Sequence, residues 1–542
     1  MKYTYPLSFA ALALLGLASC KKNKPDPNPP VIKNERADLS RDSIYYYAKQ
    51  VYLWNDALPE YAAFNPRKYN TLSTDFSNYE KELIDITQFK INPATGLPYE
   101  YYAYSVNGKQ VIDSKYSYIS DIADKNPVAY IDAKKSAVDL EGNGNDMGIK
   151  LGAYGQGGTT FALFVTAVYQ NSPADKGGVK RSDRIYKING RSIGDNYDND
   201  RDFINTAFNA NTITLEGVKY LNGSAGTPYT VQLTKSLYKS SPVYTSKVFT
   251  AGTKKIGYLA YARFSNLANS KPDLDLAFTK FKDQGVTDLI IDLRYNGGGY
   301  VNTAQYIINQ IAPASANGQV MFSEYYNPQM QSGAATILKN QPLLDGNGKV
   351  QYQNGEIVTY DDVSFSVADN TEHFTKLGPL NTAGNPISKV VFIVSGNTAS
   401  ASELLMNTLK PYMTVRLVGE RTYGKPVGFW PIRIENKYDV YYSLFQTKNA
   451  SGQGDYFDGI KPDIEDAFDD PRNDFGDPAE YWTLLAISDI APSAGSVSVS
   501  AAKTMSLREN STSSRQKMRP LKAIVDGNEF IGMIENNLRL KH

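Results

Sequence analysis

Ser400 and Lys425 are the residues of this chain best placed to do chemistry together. Ser400 lies in V-S-G-N-T-A-S-A-S-E, residues 394–403, directly after the apolar run 390–394. Lys425 closes G-E-R-T-Y-G-K, residues 419–425, one expected helix and one expected strand later. A serine hydroxyl is a weak nucleophile and needs a neighbouring base. Histidine is the usual base, but the chain has only two. His542 is the last residue, and His373 lies in a polar segment without a motif around it. Lysine is therefore the natural base for Ser400, and a Ser–Lys pair is a known variant of the serine triad. Free lysine has a pKa of about 10.4, so roughly one in 2,500 is neutral at pH 7. Burial lowers that value. A working Lys425 must sit in a mostly apolar pocket, with Tyr423 and Phe429 as its nearest candidate walls.

The pair must be carried by alternating strands and helices. Residues 256–261, 288–293, 390–394 and 415–418 read as strands, the second and third as near-continuous apolar runs suited to burial. Residues 273–283, a segment after Tyr300, and 401–409 read as helices, the last stopped by Pro411. This alternation predicts an α/β layer with parallel strand pairs and right-handed crossovers. Alternating aromatic and polar residues over 429–445 predict further antiparallel strands, and 478–487 predicts a helix. Upstream, 38–58, capped at Ser40 or Asp42, and 75–86 read as helices of a mostly helical N-terminal domain.

At 542 residues the chain exceeds one domain, and 42% apolar content suffices for a core. A net charge of +1 gives no field for nucleic acid. The 40 tyrosines read as surface and groove lining. Lys2, the apolar stretch 7–17 and L-A-S before Cys20 describe an export signal. The cysteine after L-A-S resembles a bacterial lipobox, which implies lipidation at Cys20 and a protein anchored to a membrane rather than spanning it. Cys20 is the only cysteine, so disulfides are not expected. The expected location is the cell envelope, periplasmic or outer-membrane associated. The boundaries follow: signal 1–20, proline-rich tether 21–37, helical domain 38–135, a β domain 140–236, an α/β core 240–470, and a C-terminal helix and tail 471–542, with 492–514 rich in Ser and Ala.

The serine turn and T-Y-G-K together resemble the C-terminal processing (tail-specific) proteases, peptidase family S41. Two more segments carry the resemblance: D-L-R-Y-N-G-G-G at 292–299 and G-I-K-P-D at 459–463. With the β domain it spans about residues 140–470 and implies a crotonase-like α/β protease core. It also implies an oxyanion hole built from the backbone of the glycine stretch and of Ala401. Gly298 is the favoured donor, with the register among Gly297, Gly298 and Gly299 open. Arg294 and Asn296 read as holding that loop, and Ser402 as a helix cap. The family often has glutamine four residues after the lysine. Here that residue is Phe429, so another group must orient Lys425, with Gln446 and Glu403 as candidates.

Residues 140–236 resemble a PDZ domain. Gly148, Ile149, Lys150 and Leu151 match its carboxylate-binding loop, and S-P-A-D-K-G-G-V and D-R-I-Y-K-I-N-G its short helix, strand and turn. Such a loop offers successive N–H groups to a terminal carboxylate while the peptide adds as a strand. The resemblance therefore implies a lipoprotein serine endopeptidase acting on unfolded or C-terminal segments of exported proteins through an acyl-enzyme. A non-catalytic PDZ scaffold is the alternative, and an α/β acyl-transfer or hydratase enzyme a more distant one. No dinucleotide, Walker or H-E-x-x-H motif occurs, so neither cofactor nor metal is expected.

Overall fold

The computed structural model describes residues 35–541 apart from 107, 124–137, 156–158, 222–223, 345–348, 376–377, 382–386, 467–468, 493–518, 521–529 and 536–537. The expected signal, Cys20, residues 21–34 of the tether and nearly all of the Ser/Ala-rich stretch fall outside these residues, while 35–37, expected in the tether, already belong to the first helix.

The central sheet runs Val243–Ala251, Lys254–Tyr261, Asp288–Asp292, Lys389–Val394, Thr414–Gly419, Ile464–Glu465 in spatial order. All neighbours after the first antiparallel pair are parallel. Side chains alternate between two covered faces, which explains the unbroken apolar runs. Leu289, Ile291, Val390 and Phe392 face a core shared with the helices Leu267–Asp283, Val301–Ile311 and Ala401–Leu409. Ile290, Val391 and Ile393 face Trp482, Ile487 and Ile490 of the helix Tyr481–Ile490. That helix begins three residues later than the sequence suggests. The Glu480 carboxylate accepts from the Trp482 and Thr483 N–H groups and fixes the start.

A second sheet orders Ser224–Thr234, Thr212–Leu221, Arg184–Ile188, Phe161–Val168, Ile149–Gly155 and Arg519–Pro520. Asn189 and Gly190 both take positive φ, 49° and 79°, in the tight turn between Arg184–Ile188 and Arg191–Ser192.

At the N-terminal end, Glu35–Val51 packs on Asp75–Thr87. The first helix is already running at Ser40, whose hydroxyl donates to the Arg36 carbonyl at 3.1 Å, so Ser40 does not cap it. Strand Tyr118–Asp121 pairs with Tyr438–Tyr441 of the core, which in turn pairs with Ile432–Ile434. Many tyrosines are core, contrary to the expectation of surface lining. Tyr45, Tyr52, Tyr79, Tyr116, Tyr258 and Tyr442 are all buried. Most such hydroxyls find an acceptor, as Tyr45 does at Pro59 and Tyr116 at Gly424, which makes burial of the ring affordable.

Candidate active site

Ser400 sits where the strand Lys389–Val394 turns into the helix Ala401–Leu409, with φ 60° and ψ −111°. A non-glycine residue holds such a conformation only when its surroundings enforce it. The enforcing bonds run to the glycine loop. Thr398 Oγ1 donates to the Leu293 carbonyl at 2.7 Å, and the Ala399 N–H to the Asn296 carbonyl at 3.2 Å. Ser402 Oγ donates to that same Asn296 carbonyl at 3.1 Å. Ser402 is thus a tie between helix and loop rather than the expected cap. Ser400 is fully buried, and its Oγ has no hydrogen-bond partner among the described residues.

Glu403, one turn into the helix, organises both halves of the pair. Its Oε2 accepts from the Ser400 N–H and from the Lys425 N–H, each at 2.8 Å. Its Oε1 accepts from the Gly424 N–H at 2.8 Å and from the Thr422 hydroxyl. The carboxylate therefore clamps T-Y-G-K against the serine turn. Burial pushes its pKa up, against the opposing pull of those four donors.

The Lys425 side chain is fully buried. Its Nζ lies 4.3 Å from the Phe429 ring centroid and 5.8 Å from that of Tyr116. It donates to the backbone carbonyls of Ile531 at 3.1 Å and Tyr116 at 3.4 Å. Burial brings its pKa down to about 7, with Glu100 and Glu403 pulling the other way. The expected apolar pocket is present, but one wall differs. Tyr423 turns its hydroxyl to the Lys115 carbonyl, and Tyr116 takes its place beside the amine. Gln446 binds Gly454 and Asp455 instead, so it does not orient the lysine. Here the amine rests on the Tyr116 and Ile531 carbonyls, and Glu403 holds the lysine's main chain.

Gly298 has φ +108°. A β-carbon there would stand 3.0 Å from the Ala401 nitrogen and 3.0 Å from the Ala399 carbonyl oxygen. The missing side chain thus leaves a space beside the Ala401 N–H, which opens the helix and has no intrahelical acceptor. The Gly298 N–H itself donates to Asn296 Oδ1 at 2.9 Å, so in this state it does not point into that space unpaired. Asn296 also donates to the Tyr261 carbonyl at 3.0 Å. Arg294 is buried between Asp292, Glu480 and Asp469, at 2.7, 2.9 and 2.6 Å. Both residues hold the loop, in line with expectation.

In the second sheet, Gly148 adopts φ +74°, packs against Ser172 and donates to Asp146 Oδ1 at 2.7 Å. Ile149, Lys150 and Leu151 begin the strand that pairs with Phe161–Val168. These four residues lie together at one end of that strand.

Sequence reasoning missed Glu100, Tyr116 and Ile531. Tyr116 and Ile531 contribute backbone atoms, and nothing in their types marks them. Glu100 is buried and binds Ser114, Ser117 and Ser443 through hydroxyls at 2.6–2.8 Å, tying residues 114–117 to the core beside Lys425.

Residues 255–466 match Peptidase family S41 and residues 164–215 match the PDZ domain. The chain is 26% identical to the chloroplastic carboxyl-terminal-processing peptidase 1 of Arabidopsis thaliana over 54% of its own length and 49% of that protein. It is 22% identical to the carboxy-terminal processing protease CtpB of Bacillus subtilis over 60% and 55%. The chain thus spans about half the length of these relatives. A crystal structure assigned to an S41 protease from Bacteroides fragilis superposes with a TM-score of 0.53 at 20% identity, covering 83% of this chain and 97% of that one, and shares its fold. The serine turn, the clamped lysine turn and the glycine loop all fall inside the span that matches Peptidase family S41, and the carboxylate-loop segment lies just before the span that matches the PDZ domain.

Proposed function

We propose that the chain is a serine endopeptidase using Ser400 as nucleophile and Lys425 as general base. Neutral Lys425 takes the Ser400 hydroxyl proton as Oγ attacks a peptide carbonyl. It then returns that proton to the leaving amine, giving an acyl-enzyme that water hydrolyses. The Ala401 N–H, beside the space left by Gly298, stabilises the oxyanion. The observation that carries this reading is the shared Glu403 carboxylate, which fixes the serine and lysine main chains to one atom.

The PDZ domain binds substrate C-termini at Gly148–Leu151, presenting unfolded or C-terminal segments of exported proteins. Lipidation at Cys20 holds the enzyme in the cell envelope. The parallel sheet covered by helices on both faces is in keeping with a crotonase-like core. A catalytically weak scaffold is the second reading, favoured only by Phe429 in place of glutamine.

The test is cleavage of a protein with a disordered, free C-terminal tail by the chain lacking residues 1–20, beside Ser400→Ala and Lys425→Ala. Loss of turnover in both, with each variant still folding cooperatively, supports the dyad. Turnover that survives Ser400→Ala rules it out.

A further inference from the structure

Neither Ser400 nor Lys425 is open to solvent, and part of what covers them is the chain's own C-terminal segment. Residues Gly532–Ile534 form a strand that pairs in parallel with Gly298–Tyr300 of the glycine loop. The Gly532 N–H donates to the Gly297 carbonyl at 3.0 Å. On its other side, the Met533 carbonyl accepts from the Phe429 N–H at 3.0 Å, and the Glu535 N–H donates to the Phe429 carbonyl at 3.2 Å. The segment is thus held by backbone bonds between the loop that precedes Ser400 and the stretch that follows Lys425.

Two contacts place it over the reacting groups. The Ile531 carbonyl accepts from the Lys425 amine at 3.1 Å. The Gly532 carbonyl packs against Gly298, at the space beside the Ala401 N–H. A third contact lies in the PDZ domain. Arg519–Pro520 pairs antiparallel with Tyr154 and Gly155, on the edge of Ile149–Gly155 opposite Phe161–Val168. Addition of a strand to such an edge is how a PDZ domain takes a peptide. The last part of the chain therefore lies on both edges to which a peptide substrate could add.

We infer that the cleft between residues 297–300 and Phe429 binds an extended peptide by its backbone, and that residues 530–535 are its resident occupant, closing the resting enzyme. This rests on the Ser–Lys reading above. Backbone pairing is tolerant of sequence, so one cleft can hold the tail and then an unrelated unfolded substrate. Beyond the cleft the chain is fastened again: Arg539 O accepts from the Ser364 N–H at 2.9 Å and the Lys541 N–H donates to the Asp362 carbonyl at 2.8 Å. A tethered occupant competes at an effective concentration of about millimolar. Weak substrates are then excluded, and those that also engage the PDZ domain have the advantage.

The test uses the full chain and Gly532→Val. A β-carbon at Gly532 would clash with the Phe530 ring of the tail and stand 2.6 Å from that of Phe429, so valine crowds the strand out of the cleft while the cleft keeps its own sequence. A fluorophosphonate probe should label Ser400 about tenfold faster or more in the variant. Equal labelling of both proteins overturns the inference and leaves the Ser–Lys reading intact. No labelling of either counts against the Ser–Lys reading. A second measurement needs neither a tail substitution nor catalysis: amide exchange of residues 530–535 in full-length Ser400→Ala, with and without excess β-casein as the unfolded chain. Faster exchange with casein supports displacement of the tail. Unchanged exchange shows a permanent structural strand and overturns the inference, whether or not Gly532→Val folds.

Discussion

The backbone nitrogens of Ser400 and Lys425 donate to one and the same oxygen, Glu403 Oε2, each at 2.8 Å. Residues 25 apart in the chain are thereby held to a common atom in the core. The side chain that does this is buried and charged, so its geometry is fixed by more than packing.

Glu403→Gln tests that role. An amide keeps one acceptor oxygen but turns an NH2 group toward N–H donors that need an acceptor. Leaving such groups unsatisfied should cost about 3 kcal/mol of stability. The turn that strains Ser400 should relax, and kcat should fall about 100-fold with KM little changed, since a displaced reacting group loses rate before binding. A parallel rise in KM would mean that Glu403 shapes the substrate site instead.

The amine of Lys425 gives a pH dependence whose sign is set by its lowered pKa. With the group near 7, the base is half neutral at neutral pH, and kcat/KM should rise with pH through about 7 and then level. The same shift has a stability consequence. Between about 7 and 10.5 the unfolded chain binds a proton that the folded chain does not, so stability rises with pH across that window. Below about 7 the full cost of burying the cation is present. Lys425→Met should therefore raise the melting temperature more at pH 6 than at pH 10 while abolishing turnover. An acid limb lying well above pH 8 would show that the amine is solvated in the working enzyme.

Gly298→Ala asks whether the space beside Ala401 N–H is the oxyanion pocket. At φ +108° an alanine is strained by about 1–3 kcal/mol, and its methyl would enter the space beside the Ala401 N–H, where it also clashes with the Gly532 carbonyl oxygen. Loss of an oxyanion donor costs about 100- to 1,000-fold in kcat. A drop of that size with Ser400 still labelled by fluorophosphonate is the expected result. Retained kcat would move the pocket elsewhere on the loop.

Most of the core was legible because its segments obey simple periodicities. The runs at 289–291 and 390–394 are apolar throughout because both faces are covered, and Ala401–Leu409 begins after the serine and stops before Pro411 as its residue types require. Glu403 was legible as a candidate partner of both the turn and Lys425. What could not be read is what long-range contacts decide. Tyr116 and Ile531 reach the lysine through carbonyl oxygens, which every residue has, and they come from positions 309 and 106 residues away. Tyr423, adjacent in sequence, lost its predicted place because residues 114–117 are pinned by Glu100 and fill that wall first.

A last prediction concerns Glu324, buried beside Glu535 of the tail. Burial, and then the neighbouring Glu535 carboxylate, push the pKa of Glu324 well up, while the Tyr326 hydroxyl donates to it at 3.1 Å and pulls the other way. Glu372 adds repulsion, although Arg539 pairs with it. A carboxyl raised in the folded state binds a proton that the unfolded chain releases near its ordinary value of 4.5, so stability falls as pH rises above that value. Glu324→Gln keeps the shape and the hydrogen bonding and removes the charge. It should raise the melting temperature at pH 8 and leave it nearly unchanged at pH 4, where the native group is already neutral. The amides of residues 530–535 should exchange more slowly in the variant at pH 8, since Glu535 no longer faces a second carboxylate. A gain in stability equal at both pH values would mean that Glu324 is not raised by burial and Glu535 in the folded state, and that the tail is fastened by its backbone alone.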